Sequence, residues 1–154
     1  MLKAIFAACI FLRVRNRVLL IHHKKADLWL PPGGDLLPGE IPIDGAVREL
    51  EEETGIKADE NLQWPTTYYH ALIDPHAPPG FLGYEEHDFN KGGTIGRIRH
   101  CNFIFLADWF SHAPAPNVTL NDEAGDYGWA SKEALEPSND NVRRMVRLAL
   151  SQGH

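Results

Sequence analysis

Apolar positions open the chain in two runs, "KAIFAACIFL" and "VLLI", parted by the polar "RVRNR". Two strand-rich runs flanking a short polar break predict a hairpin, with strands over residues 3–14 and 17–23. The first run is apolar without alternation, which predicts a core strand. In the second, Val18, Leu20 and His22 alternate with Leu19, Ile21 and His23, and the mixed polarity leaves the buried face open. A short strand over 28–30 leads into "LPPGGDLLPGE", residues 30–40. Proline lacks the N–H that a ladder needs and glycine loses the most backbone entropy, so this stretch predicts a loop, not a helix or a central strand. A helix is predicted over 42–54, with Pro42 suited to its first turn and Gly55 to the left-handed position after its last. Residues 62–73 read as strand-like, with Pro65 demanding an edge or a bend. Residues 74–96 are Gly/Pro-rich and predict an irregular loop. Residues 97–110 alternate and predict a strand, and 126–130 a shorter one. Ser131 is expected to cap a short helical turn, "SKEALE", before an amphipathic helix over 139–151. Strands on both sides of a central helix, with a second helix at the end, predict one domain over 1–154, a mixed sheet between helices.

The central helix carries the chemistry. At about 100° per residue, Ile43, Ala46, Val47, Leu50 and Thr54 share one face and form the core stripe. Glu49, Glu52 and Glu53 share another, because positions three and four apart are neighbours, while Glu51 points to solvent. Like charges at that spacing destabilise a helix by about 0.2–0.5 kcal/mol per pair. A divalent cation resolves the repulsion, and hard oxygen donors suit Mg2+ or Mn2+. Arg48, beside the cluster, can orient a carboxylate through charge-assisted bonds. Gly33 and Gly34 would let backbone approach a metal where a side chain would block it, with a carbonyl there as a further ligand. Pro31 and Pro32 stiffen that turn. Glu40 suits the positive end of the helix and lies within reach of Arg48.

Charge and cysteine content narrow the setting. Fifteen Lys and Arg against 21 Asp and Glu give a net charge of −6, which excludes a generally basic nucleic-acid surface. No stable nucleic-acid partner is expected. Cys9 and Cys101 are far apart and in no metal-like spacing. They read as two buried thiols in a reducing compartment, hence a cytoplasmic protein. "MLKAIFAACIFL" has signal-peptide features, but the hairpin pattern that follows at once favours a strand. No run reaches the ~18 apolar residues of a membrane span.

"GDLLPGEIPIDGAVRELEEETGI" fits G-x5-E-x7-R-E-U-x-E-E-x-G-U, with U bulky and apolar. It resembles the Nudix hydrolase box at Gly34, Glu40, Arg48, Glu49, Leu50, Glu52, Glu53, Gly55 and Ile56, and the preceding "WLPPG" is also similar to the family. The resemblance implies an α/β/α sandwich around a mixed sheet and hydrolysis of a nucleoside diphosphate linked to another group. It implies Mg2+, replaceable by Mn2+, held by Glu49, Glu52, Glu53 and the Gly33 carbonyl, with Arg48 in the catalytic set. It leaves two candidates for the general base: Glu49 in the box, or Glu123 in the late "NDEAGD".

Substrate choice lies outside the box. Tyr68, Tyr69, Phe103, Trp109 and Trp29 are candidates to stack on a base. Arg97, Arg99 and Lys24 are candidates to meet phosphates, and His22, His23 and His100 to give polar contacts. The expected substrate is a nucleoside triphosphate, cleaved to a monophosphate and pyrophosphate by a monomer or homodimer. Alternatives are an ADP-ribose or nucleotide-sugar diphosphatase, an RNA 5′-pyrophosphohydrolase, or a sensor that binds a nucleotide without cleaving it. Residues 74–96, with Phe81, Tyr84 and Phe89 among glycines, are expected to close over the substrate as a lid. The "YEEHD" run within them reads as a solvated surface.

Overall fold

The computed structural model describes residues 3–90, 97–133 and 139–153. Its centre is β1 (Lys3–Val14), buried on both faces from Ala7 to Arg13, as its unbroken apolar run requires. β1 pairs antiparallel with β2 (Arg17–His23) across the predicted hairpin. On its other side it runs parallel to β7 (Arg97–Trp109), from Lys3 opposite Ile98 to Arg13 opposite Asp108. β3 (Leu28–Leu30) and β8 (Ala124–Ala130) pair with β2; β5 (Leu62–Gln63) and β6 (Phe81–Asn90) pair with β7. The result is a mixed sheet with one helix layer on each face. α1 (Pro42–Thr54) packs Ala46 and Leu50 onto Ala8, Ile10, Leu12, Leu19 and Phe105. α3 (Asp140–Ser151) packs Val142, Val146 and Ala149 onto Cys9, Phe11, Val18, Leu20 and Leu106. Burying each such Leu or Val contributes about 1.5–3 kcal/mol. The alternation along β1 and β7 thus splits one sheet into two cores. None of these helices is long and apolar enough to cross a membrane.

α1 has the predicted bounds. Pro42 occupies its first turn, and Gly55 closes it at φ 71° while donating its N–H to the Glu51 carbonyl, a left-handed cap that glycine adopts without strain. α3 begins one residue later than expected, because the Asn139 side chain serves as its N-cap and accepts the Val142 N–H at 2.9 Å. Cys9 and Cys101 are buried free thiols, as expected.

Four expectations need correction. Within the loop, Gly33–Asp35 form a short strand, β4, antiparallel to Ala7–Cys9; with no side chains to clash, the two glycines lie flat on β1. The stretch 62–73 is not one strand. Pairing stops after Gln63, shortly before Pro65, and Thr67 then caps a helical turn, α2 (Tyr68–Leu72), by accepting the His70 N–H. Residues 81–90 are not part of an irregular lid. From Phe81 to Asn90 they form β6, paired with β7 along its length. Tyr84, Glu86 and Asp88 pair opposite Phe103, Cys101 and Arg99, while Glu85 and His87 pair opposite Asn102 and His100. Polar side chains on both faces hid the strand. Finally, the core stripe of α1 includes Glu53, as buried as Ala46 and Leu50, whereas Val47 is only half-buried. Residues 134–136 of the "SKEALE" turn, like residues 91–96, lie outside the described residues.

One buried charge had no forecast. Arg13 is 1% exposed. Its Nε and Nη2 donate to the Asp108 carboxylate at 2.5 and 2.9 Å. Its Nη1 donates to the Ala149 and Gln152 carbonyls at 3.1 and 2.7 Å, and Nη2 to that of Gly153 at 2.9 Å. One guanidinium on β1 thereby binds carbonyls at and beyond the end of α3, adding a donor to that of Ala149, which also accepts the Gln152 N–H at 3.4 Å.

Candidate active site

β4 and α1 converge on a group of carboxylates. The Gly33 N–H donates to Glu53 Oε1 at 2.7 Å, tying the loop to the helix. A Cβ on Gly34 would stand 2.6 Å from Glu49 Oε1, so the carboxylate occupies the space a side chain would take. A Cβ on Gly33 would stand 2.6 Å from both the Ala8 carbonyl oxygen and Cys9 Cβ. The two glycines therefore serve different approaches: Gly33 to the strand beneath, Gly34 to the acid above.

Arg48 binds this cluster together. Its Nε and Nη2 grip both oxygens of Glu40 at 2.8 and 3.0 Å. Nη1 donates to Glu49 Oε1 at 2.9 Å and Glu52 Oε2 at 3.1 Å, and Nη2 also reaches the Asp35 carbonyl at 3.1 Å. The Arg48 hydrogen bonds, aided by the Leu37 N–H, hold the Glu40 carboxyl down at about 2. Glu51 points away, exposed, with Lys57 at 4.0 Å.

The late loop joins the site through backbone bonds. The Thr119 N–H donates to the Thr54 carbonyl at 2.8 Å and the Asn121 N–H to that of Glu53 at 3.3 Å. The Glu123 carbonyl accepts the Lys24 N–H at 3.1 Å. Burial pushes the Glu53 carboxyl up to about 7, the Gly33 N–H opposes that, and the charges of Glu49, Glu123 and Glu52 add to it. Burial also raises Glu49, against its Arg48 bonds, and Glu52 and Glu123 add to the rise. Four carboxylates thus feel one another, with Arg48 as the cation bonded to the cluster.

That donor set fits a hard divalent ion. It offers only oxygen, it carries excess negative charge, and Gly34 keeps open the space around Glu49. Among the described residues, no three acids are already drawn into a coordination cage. Glu49 and Glu52 are turned onto Arg48 and Glu53 onto Gly33. Binding an ion there would exchange some of those bonds for ligation.

The site opens into a cleft of about 580 Å³ that runs from Gly33 and Gly34 to Asn139 and Asn141. Cys9, Asn102 and Ile104 line its floor. Phe11, Leu28, Leu30, Val142 and Met145 give an apolar wall, and Asp35, Glu85, His87 and His100 a polar one. Of the predicted contacts, His23 and His100 line the cleft, with His100 Nε2 2.9 Å from Asp35 Oδ1. Lys24 does not line it, its side chain lying beside Gly125. Arg99 is not brought here: it pairs with Glu86 and Asp88, at 3.1 and 3.2 Å, on the opposite face of the sheet. Tyr68 is also remote, its hydroxyl donating to the Ser151 carbonyl at 2.8 Å. Arg97 opens β7, and its side chain lies outside the description. None of the five proposed stacking rings lines the cleft. Phe103 packs on Phe6 and Tyr84, Tyr69 on Phe81, and Trp29 beside His22, while Trp109 Nε1–H donates to the Pro114 carbonyl. The pattern missed Glu85, His87, Asn102, Asn139 and Asn141. The available signal was the alternating run "RIRHCNFIF", which sets Asn102 on the same strand face as His100.

Fold and site together define a domain of the Nudix type: two helix layers on a mixed sheet, with the glutamates of one helix set beneath a Gly-rich turn. Residues 3–149 match the profile of the NUDIX domain, and the chain belongs to the Nudix hydrolase family. Its fold is similar to a hydrolase of the NUDIX family from Clostridium perfringens, with TM-score 0.70 and 22% identity over 94% of this chain and 95% of that one. It is also similar to the MutT protein from Methanosarcina mazei, with TM-score 0.62 and 21% identity over 95% and 92%. Sequence similarity is more local. A Bacillus subtilis relative named "Putative 8-oxo-dGTP diphosphatase" is 44% identical over 52 residues, 34% of this chain and 35% of the relative. An RNA pyrophosphohydrolase from Bartonella clarridgeiae is 46% identical over 48 residues, 29% and 28% of the two. The matched segments span about a third of these relatives' lengths.

Proposed function

We propose that this chain, acting as one Nudix domain over residues 1–154, is a pyrophosphohydrolase that cleaves a nucleoside triphosphate to a monophosphate and pyrophosphate. The observation that carries this reading is the cluster of Glu49, Glu52, Glu53 and Glu123 beside Gly33 and Gly34, two glycines that line a cleft large enough for one nucleoside. Glu49, Glu52, Glu53 and the Gly33 carbonyl would hold Mg2+, or Mn2+ in its place. When bound, the ion neutralises phosphate charge and lowers the pKa of water. Arg48 positions Glu49 and Glu52 by its bonds to both. Glu49 or Glu123 accepts the proton of the attacking water as its oxygen bonds to phosphorus and the P–O bond to the leaving group breaks.

The cleft supports a small nucleotide over an RNA end. Among the described residues that line it there is no Lys or Arg to track a polyanion. A nucleotide sensor would gain nothing from keeping the whole glutamate set. The test is a phosphate-release screen over nucleoside triphosphates, dinucleotides, nucleotide sugars, ADP-ribose and 5′-triphosphorylated RNA, with Mg2+ or Mn2+ and with excess chelator. Metal-dependent release of pyrophosphate from a nucleoside triphosphate at the highest kcat/KM is expected. Preferential turnover of RNA or ADP-ribose would move the assignment, and undiminished turnover in chelator would end the metal reading.

A further inference from the structure

The far end of the cleft holds a polar cluster that the glutamate chemistry does not use. Glu85 on β6 accepts from three neighbours. Asn102 Nδ2 reaches its Oε1 at 3.3 Å, and His87 Nε2 lies 3.2 Å from the same oxygen. Asn141 Nδ2 reaches Oε2 at 2.5 Å. An ionised carboxylate only accepts, so it fixes which edge of each amide faces it. Asn102 spends its second Nδ2 hydrogen on Cys9 Sγ at 3.5 Å. What Asn102 has left for a ligand in the cleft is therefore carbonyl oxygen, and Asn141 keeps its carbonyl oxygen and one Nδ2 hydrogen. Neither oxygen is sealed away without a partner among the described residues. Three donors also leave Glu85 about one of its four lone-pair sites. Asn139 is the reverse case: its Oδ1 caps α3, so its Nδ2 remains as a donor. The end of the cleft offers the acceptors of Glu85, Asn102 and Asn141 beside amide donors of Asn139 and Asn141.

We propose that Glu85, with Asn102 and Asn141 set by it, selects a guanine-type base, one that presents two adjacent N–H donors beside a carbonyl. This rests on the nucleoside triphosphate reading above and names the base. Guanine offers N1–H and the 2-amino group next to O6. Adenine places an acceptor, N1, beside its amino group and would set lone pair against lone pair. Cytosine has the same conflict, and uracil offers a single N–H between two carbonyls. Hypoxanthine keeps N1–H and O6 and loses only the 2-amino donor, so it isolates one contact. A site that leaves a buried acceptor unpaired rejects the wrong ligand more strongly than it rewards the right one.

The experiment measures binding and turnover separately. Titration calorimetry with GMP, IMP and AMP is expected to rank them in that order, with GMP at least ~10-fold tighter than AMP, the size of one hydrogen bond to a charged acceptor. kcat/KM for GTP over ATP should show the same preference. Glu85→Gln places an amide where the carboxylate was and should erase most of that ratio, while the rise in Tm produced by Mn2+ alone stays as in the parent. If Glu85→Gln fails to fold, Asn141→Asp is the second variant, and it too should collapse the ratio. Selective GMP binding without cleavage of any nucleoside triphosphate would uphold the base assignment and sink the proposed reaction. Equal affinity for GMP and AMP, or a Glu85→Gln loss that is uniform across bases, overturns the base assignment whether or not triphosphates are cleaved.

Discussion

The Glu49 carboxylate stands where the side chain of residue 34 would be: a Cβ on Gly34 would lie 2.6 Å from Oε1 and 2.7 Å from Cδ. The obstacle is the far end of a flexible side chain, so Gly34→Ala has an inexpensive escape. Glu49 swings aside and the backbone stays. Gly34→Ala is expected to keep Tm within a few degrees of the parent, weaken Mn2+ binding and lower kcat about 100-fold. At Gly33 the obstacles are the Ala8 carbonyl and the Cys9 side chain, which cannot swing away. Gly33→Ala should cost about 1–3 kcal/mol of stability. Thermal melts with metal titration separate the two. A Gly34→Ala enzyme of parental kcat would show that the position of Glu49 does not matter to the chemistry.

The ease of finding α1 and the difficulty of finding the cleft have the same origin, which is sequence distance. Everything that shapes α1 lies within residues 40–56: Pro42 and Gly55 punctuate it, and its faces follow from one period. The strand pairs of β1 and β2 are similarly local. β6 was missed because a strand is usually recognised by one apolar face. Beyond Leu82 this one carries Tyr84, Glu86 and Asp88 on one side and Glu85 and His87 on the other. The base end of the cleft was less visible still. Glu85 meets Asn102 across 17 residues and Asn141 across 56, on three separate elements. No window of sequence contains that juxtaposition. Glu123 was named from the family resemblance, and the backbone bonds of Thr119 and Asn121 tie its loop to the end of α1.

Glu53 gives a stability signature that needs no substrate. Its folded pKa is raised to about 7 from an ordinary 4.5. Between those values the folded chain holds a proton that the unfolded chain has released. This group therefore favours folding at and below pH ~4.5, and its contribution is lost as pH rises to 7. Metal-free parent protein should lose Tm across that window more steeply than Glu53→Gln, which carries no titrating group. Mg2+ at pH 8 should restore Tm to the parent and have little effect on the variant. Parallel pH profiles for the two proteins would refute the burial of an ionisable Glu53.

Glu49 and Glu123 compete as base, and their placement suggests how to separate them. Glu49 is bonded to Arg48 and sits against Gly34, whereas Glu123 lies on a loop held by its backbone. With Glu49 as base, Glu49→Gln should lower kcat by about 10³-fold or more and Glu123→Gln by ~10-fold. Glu51→Gln is the control. Its carboxylate is exposed on the far side of α1, and its kinetics should match the parent. Single-turnover rates measured at saturating Mg2+ keep lost metal affinity from passing as lost base. A larger loss in Glu123→Gln than in Glu49→Gln assigns the proton to the late loop.

Arg13 anchors the opposite end of the domain and should matter to stability alone. It is 1% exposed, pairs with both oxygens of Asp108, and satisfies the carbonyls of Ala149, Gln152 and Gly153. Arg13→Met keeps the length of the side chain but leaves a carboxylate and those carbonyls without the guanidinium donor. Breaking a buried pair from one side costs about 3–5 kcal/mol, because the partner charge stays behind. Asp108 is partly exposed, at 16% of its side chain, which puts the expected loss at the lower end, about 3 kcal/mol. The double variant Arg13→Met/Asp108→Leu removes both charges and should recover part of the loss in urea melts. The glutamate cluster and cleft do not include Arg13, so kcat/KM of the folded single variant should stay within about twofold of the parent. A stability unchanged by Arg13→Met would mean that the end of α3 is held by its packing against β1 and β2, with the guanidinium adding nothing.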